Sequence, residues 1–407
     1  MIKRDFSNSD SSHQDGVRFV RWIISGIITS LAVLIAVGAI VWPVGHAAIS
    51  AVLLLPEFFP NAPARPLEWL TPNPVRSTVE LRYDGQTSVA DLYDPGSGRQ
   101  HGGVIIFLGV APAGLDDPRV IRLGESLARI GIVTLIPQSQ DLVNSKVDPS
   151  EIDELVAGFD YLAHRPNVDA KRIGFGGFCI GASLALDAAE DPRINHQVAL
   201  VNSFTGYYDL SSYIISILSH SIAPYPSNDQ GRVLWEPAPN ATEVLNDHLI
   251  SLDPDSRERQ ELALAVHNSA RPRPDVSRLS STGRTIWTLI NTRDPVVATR
   301  LLNQLPPAGQ QALARLSPST RIADLHAKVF AMHDRDDSTV PYIQSRLLVA
   351  HLRPGQGEYD EFQIFNHVDP TESTSLPTLL GDAARLGWHM FQIVEILQGA
   401  VPVQHYG

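Results

Sequence analysis

Polar residues fill positions 1–21, and then the character reverses: residues 22–44 carry no charge at all. A run of that length can cross a bilayer as one helix, and Trp22 and Trp42 stand at its ends, where interfacial aromatics collect. A cleaved signal peptide is the competing reading, but its apolar region ordinarily spans only about 7–15 residues. Lys3, Arg4, Arg18 and Arg21 precede the segment and no Lys or Arg follows until Arg65. That bias keeps the N-terminus in the cytoplasm and puts the rest of the chain outside, held by the lipid bilayer through residues 22–44. Residues 45–74 are first apolar and then proline-rich. The stretch 47–59 is too short to span, so it lies on the membrane surface or packs on the domain that follows, and 60–74 reads as an extended linker.

From residue 75 the pattern is that of a globular domain. Val75–Tyr83 and Thr87–Tyr93 alternate in polarity and meet at Asp84-Gly85, a hairpin signal. Gly103–Gly109 is continuously apolar, as a strand buried on both faces should be. An amphipathic helix is expected over Arg119–Ile130, with Ile121, Leu123, Leu127 and Ile130 inward and Gly131 as its stop. Ile132–Pro137 is a strand. A helix with a capping-box-like start at Ser150–Asp153 buries Ile152, Leu155, Val156, Phe159 and Leu162. Strands at Ile173–Phe178 and Gln197–Ser203 follow. Strand and helix alternate, so a mostly parallel sheet with helices on both faces is expected over residues 75–205.

Residues 206–319 break the rhythm. Prolines are frequent, helical character shows near 207–222, 256–270 and 295–316, and no run alternates as a strand would, so the segment reads as a helical cap insertion. The α/β pattern resumes over 320–407, with strands at Lys328–Met332 and Tyr359–Phe365, a helix at Tyr342–Leu352, and a long final helix at Leu376–Gln398. Its apolar stripe runs through Leu379, Leu386, Met390, Ile393 and Leu397. Asp382, Arg385 and Glu395 argue against a second crossing.

The chemistry gathers at Arg172–Glu190. A glycine-dense strand ends at Phe178, an Ala/Leu helix begins after it, and Cys179 falls at the turn. The motif Gly177-Phe178-Cys179-Ile180-Gly181 is the cysteine form of the G-x-S-x-G elbow, in which a strained strand-to-helix turn lifts a nucleophile above the sheet. The helix dipole at that turn favours a thiolate. A cysteine here could equally be a buried small apolar residue. Strand, elbow and helix in sequence favour the nucleophile.

These residues resemble the α/β-hydrolase superfamily, and the elbow looks most like the dienelactone-hydrolase branch, whose nucleophile is cysteine. Ala182 departs from that branch, which usually has a second glycine there. The resemblance implies the order nucleophile, acid, histidine. His333 to Pro341 resembles the superfamily's H-G-x-x-D-x-x-V-P segment, which makes Asp337 the acid by register, with Asp336 its neighbouring rival and Asp334 in place of the usual glycine. Phe365-Asn366-His367 follows the last strand, where the superfamily places its base, so His367 is the candidate. His333, the alternative, belongs to the acid motif. The oxyanion-hole donors implied are the backbone N–H groups of Ile180 and Val110, the latter in Leu108-Gly109-Val110, where the familiar histidine is missing.

Composition narrows the partners. A net charge of −12, with no basic run beyond the first residues, argues against nucleic acid and against a wide anionic-lipid footprint. A single cysteine among 407 residues allows no internal disulfide and leaves the thiol free. A zinc site from His333, Asp334 and Asp337 lacks a ligand-spacing frame. Phosphate-loop and dinucleotide motifs are missing, so no cofactor is expected. Expected, then, is a membrane-anchored α/β hydrolase that cleaves a small acyl substrate, an ester, lactone or thioester, through an acyl-enzyme on Cys179. An acyltransferase on the same residues and a non-catalytic binding protein of the same fold are the alternatives.

Overall fold

The computed structural model describes residues 43–59, 62, 64–110, 113–226, 231–268, 273–370 and 375–407. The uncharged stretch 22–44 lies outside these apart from its last two residues. Among the described residues no helix is long and apolar enough to cross a membrane.

Eight strands form one sheet: β1 (Val75–Tyr83), β2 (Gln86–Asp94), β3 (His101–Phe107), β4 (Ile132–Gln138), β5 (Val168–Phe178), β6 (Leu200–Phe204), β7 (Lys328–Asp334) and β8 (Gly357–Phe362). Their order is β1-β2-β4-β3-β5-β6-β7-β8. β1 with β2 and β2 with β4 are antiparallel, and all other neighbours are parallel. The hairpin closes at Asp84 and Gly85 with φ of 43° and 76°, the mirror-image turn that matches strand twist. The parallel strands β3 to β7 are buried on both faces, which is why they read as unbroken apolar runs.

Helices cover both faces. On one lie α3 (Ser150–Ala163), α4 (Ile180–Ala189) and α11 (Ile343–His351). On the other lie α1 (Val44–Leu54), α2 (Pro118–Arg129) and α12 (Leu376–Leu397). The stretch 47–59 therefore packs on the globular part. The Gln398 amide clamps it there, donating to Ser50 Oγ at 3.0 Å and to the Ile130 carbonyl at 2.7 Å. Two details differ from the sequence reading. The start of α3 is held by Asp148, which accepts from the Ser150 N–H, so the capping box does not form. In α2 the most deeply buried stripe is Val120, Gly124 and Ala128, because Gly124 sits on the Tyr93 ring. Ile121, Leu123 and Leu127 are only half-buried.

Between β6 and β7 the chain leaves the sheet for six helices: α5 (Leu210–Ser219), α6 (Pro239–Ser251), α7 (Ser256–His267), α8 (Ser281–Ile290), α9 (Pro295–Leu302) and α10 (Pro307–Arg315). The segment expected as one helix over 295–316 is split by Pro306 and Pro307. Each lacks an N–H, and the second disfavours helical φ/ψ at the first. A two-residue ladder also joins Ser221–Ile222 to Val233–Leu234, too short to show as alternation. The Leu379 position of the expected α12 stripe is 37% exposed, while Leu386, Met390, Ile393 and Leu397 are buried.

Candidate active site

Cys179 links the end of β5 to the start of α4 with φ 55° and ψ −131°, a conformation side chains rarely adopt. Its strand-side amide is tied to the Phe204 carbonyl at 2.9 Å, and its carbonyl accepts from Ala182 N–H at 3.0 Å. The surrounding glycines are dictated by space. A Cβ on Gly177 would stand 2.3 Å from the Ala182 Cα, and one on Gly181 would stand 2.4 Å from the Leu108 carbonyl oxygen. Gly109 lies so close that a Cβ there would meet the Cys179 Cβ at 2.8 Å. The loop after β3 is thus pressed onto the elbow at Gly109, the residue before Val110. Ile180 is the first residue of α4, so its N–H has no helical acceptor to satisfy it.

His367 sits at φ 60° in the turn of a two-residue ladder that pairs Phe365 with Pro370 and Asn366 with Asp369. Its Nδ1 donates to Asp337 Oδ2 at 2.7 Å. Cys179 is near enough to act on the same ring, so His367 is influenced by sulfur and carboxylate together. Burial works against its charge, but the Cys179 sulfur and the Asp337 carboxylate outweigh it and hold the imidazole well above its ordinary range.

Asp337 is buried, and burial alone would raise it. His333, whose Nε2 approaches to 3.4 Å, and the hydrogen bond from His367 reverse that, holding it well below the usual carboxylate range. Its Oδ1 accepts the N–H groups of Thr339 (2.7 Å) and Val340 (3.0 Å), so the carboxylate is fixed by its own loop. Asp336 is exposed and does not face His367 through any hydrogen bond among the described residues; its N–H donates to Asp334 Oδ1. Asp334, unremarked as a support in the sequence, is fully buried. Its Oδ2 accepts the Phe365 N–H at 2.9 Å, bracing the turn that carries His367. Burial pushes its carboxyl up to about 6 despite those two N–H donors. His333 is fully buried between Ser345 Oγ (2.7 Å) and the Val340 carbonyl (2.8 Å), so both ring nitrogens are engaged within the fold and neither is free for a metal.

The helices after β6 press on the same loop. Tyr213 hydroxyl donates to the Thr339 carbonyl at 2.8 Å, Trp235 Nε1 to the Asp337 carbonyl at 2.9 Å, and Ala238 N–H to the Ser338 carbonyl at 2.7 Å. Tyr213 stacks on Tyr207, ring centroids 5.4 Å apart, and burial pushes both phenols well above their ordinary range. These residues escaped the sequence reading because no motif marks them; the one available signal was the Tyr207-Tyr208 pair directly after β6. A larger cavity, about 770 Å³, lies between α5, α9 and α11, but none of Cys179, His367 or Asp337 lines it.

The dienelactone hydrolase family model matches residues 134–215, from β4 through the elbow into α5. No curated protein matches the sequence. Among solved structures, a 2,6-dihydroxy-pseudo-oxynicotine hydrolase is 14% identical and aligns over 82% of this chain and 71% of its own, with a TM-score of 0.50. That likeness is one of fold. A puromycin-hydrolysing peptidase of Mycobacterium tuberculosis (13% identity, 83% of this chain, 41% of the other, TM-score 0.49) and Est1E of Butyrivibrio proteoclasticus (12%, 78%, 98%, 0.44) are also similar. The chain thus has the α/β-hydrolase fold, and over β4, the elbow and the start of α5 it is similar to the dienelactone hydrolase family.

Proposed function

We propose that the protein hydrolyses an ester, lactone or thioester through a thioester intermediate on Cys179, with His367 as general acid and base and Asp337 as its orienter. The observation that carries this reading is the hydrogen bond from His367 Nδ1 to Asp337 at 2.7 Å, on an imidazole that the strained elbow sulfur also influences. The reaction starts from the thiolate with the imidazolium beside it. Sulfur attacks the acyl carbon, forming a C–S bond and moving the carbonyl electrons onto oxygen, where the N–H groups of Ile180 and Val110 receive them. As the intermediate collapses, the bond to the leaving group breaks and the leaving group takes the proton from His367 Nε2. The now neutral imidazole accepts a proton from water as its oxygen attacks the thioester. The second collapse breaks the C–S bond, returning thiolate beside imidazolium and releasing the carboxylic acid. Asp337 stays ionised throughout and holds the imidazole's orientation.

Replacing the sulfur tests the assignment. Cys179→Ala should lower turnover of small activated esters about 10,000-fold or more while the protein stays folded, because the other groups cannot form the acyl-enzyme. Turnover unchanged in a folded variant overturns the nucleophile.

Residues 22–44 are the proposed membrane anchor, with the N-terminus cytoplasmic and the hydrolase domain outside. The support is the uncharged length and the four basic residues that precede it.

A further inference from the structure

We propose that the outer face of α12, with the adjoining turn of α1, seats the hydrolase domain on the lipid surface. The proposal rests on the anchor reading above and adds where the domain touches the bilayer. Leu376, Leu380, Ala384 and Trp388 recur every four residues and so share one side of α12. All four are exposed, Leu376 by 67%, Leu380 by 62% and Trp388 by 59%. The opposite side of the same helix is the buried stripe of Leu386, Met390 and Ile393. A helix apolar on both sides normally has both covered.

The charges point to the occupant. Over residues 376–388 the only acid, Asp382, is buried, and the only exposed charge is Arg385. A chain of net charge −12 thus presents here a face without an exposed acid, bearing a tryptophan and Arg385, whose guanidinium is paired with the buried Asp382 at 3.4 Å, a composition that suits the boundary between headgroups and acyl chains. Position points the same way. Leu55 packs against Gly387, beside Trp388, and Val52, one turn earlier on α1, is 48% exposed. α1 begins at Val44, the last residue of the uncharged stretch, and its 11 residues are about 16 Å long. A bilayer crossed by residues 22–44 therefore begins within about one short helix of this face, and α1 cannot swing away because Gln398 holds it.

The test uses the full chain in vesicles of phosphatidylcholine and phosphatidylglycerol. With Cys179→Ser removing the native thiol, an environment-sensitive fluorophore is placed through Leu380→Cys, through Ala384→Cys in a second protein, and through Leu234→Cys as a control. Leu234 is 85% exposed on the two-residue ladder of the helical insertion. Lipids brominated near the headgroup should quench the labels at 380 and 384 severalfold more than the label at 234. Equal quenching at all three positions, in protein that carbonate leaves in the vesicles, overturns the seating and leaves the anchor standing. A label at 380 or 384 that is shielded from water yet indifferent to bromine assigns the face to a second copy or to the chain's own segment 22–44, and overturns the proposal. Release of the protein by carbonate overturns the anchor and the seating together.

Discussion

Two adjacent aspartates differ in everything but composition. Asp337 is buried and bonded to His367, whereas Asp336 is exposed. Since His367 is held above its ordinary range, its imidazolium form should persist above pH ~6.5 and be lost only as pH rises through the raised value. The alkaline limb of kcat/KM should therefore lie above 6.5. Asp337→Asn removes one of the charges that raise the imidazole, so that limb should move to lower pH and the rate at the optimum should fall about 100-fold or more. Asp336→Asn should leave both nearly unchanged. The reverse ranking would assign the orienter to Asp336. The candidates Cys179, Asp337 and His367 were legible because each occupies a motif with a definite place relative to a strand. Asp334 was not, since its support for Phe365 depends on residues 31 positions apart meeting in space.

At the scale of elements, the elbow is a problem of clearance. Gly181 faces backbone oxygens of Phe107 and Leu108 that cannot yield, so Gly181→Ala should destabilise by about 3 kcal/mol and lower activity along with the melting temperature. Gly381, in α12 with nothing within 4 Å of an added Cβ, supplies the contrast. There alanine should be neutral or stabilising by up to about 1 kcal/mol. Calorimetry of the two variants checks both, and equal effects would deny that clearance at the elbow is what requires glycine. The elbow glycines were readable from their motif. The insertion was harder: α6 and α8 were missed. In α8 the residues Ser281, Thr282, Gly283, Thr285 and Thr288 have low helical propensity, and packing of Gly283, Ile286 and Leu289 forms the helix nonetheless. The α12 stripe was displaced at Leu379 because periodicity identifies apolar sides but not which of two will be covered.

For the whole molecule, the sheet and its two helical layers followed from alternation of buried strands with amphipathic helices, a signal carried by many residues at once. Placement in the cell rests on far fewer. Four basic residues before position 22 and none between 22 and 64 predict that protease added to intact cells digests the domain from residue 75 onward. Carbonate should also leave the protein in the membrane. Protection of the domain would reverse the orientation, and a mature soluble form beginning near residue 48 would identify a signal peptide instead. The account centres on the sulfur at the elbow, and the most direct test is to trap what it carries. After brief reaction with a slowly deacylated activated ester and an acid quench, mass spectrometry should find one acyl group per chain, on the peptide containing Cys179 and removable by hydroxylamine. Burst formation of product with the acyl group on another residue, or steady turnover in which Cys179 never becomes acylated, would contradict it.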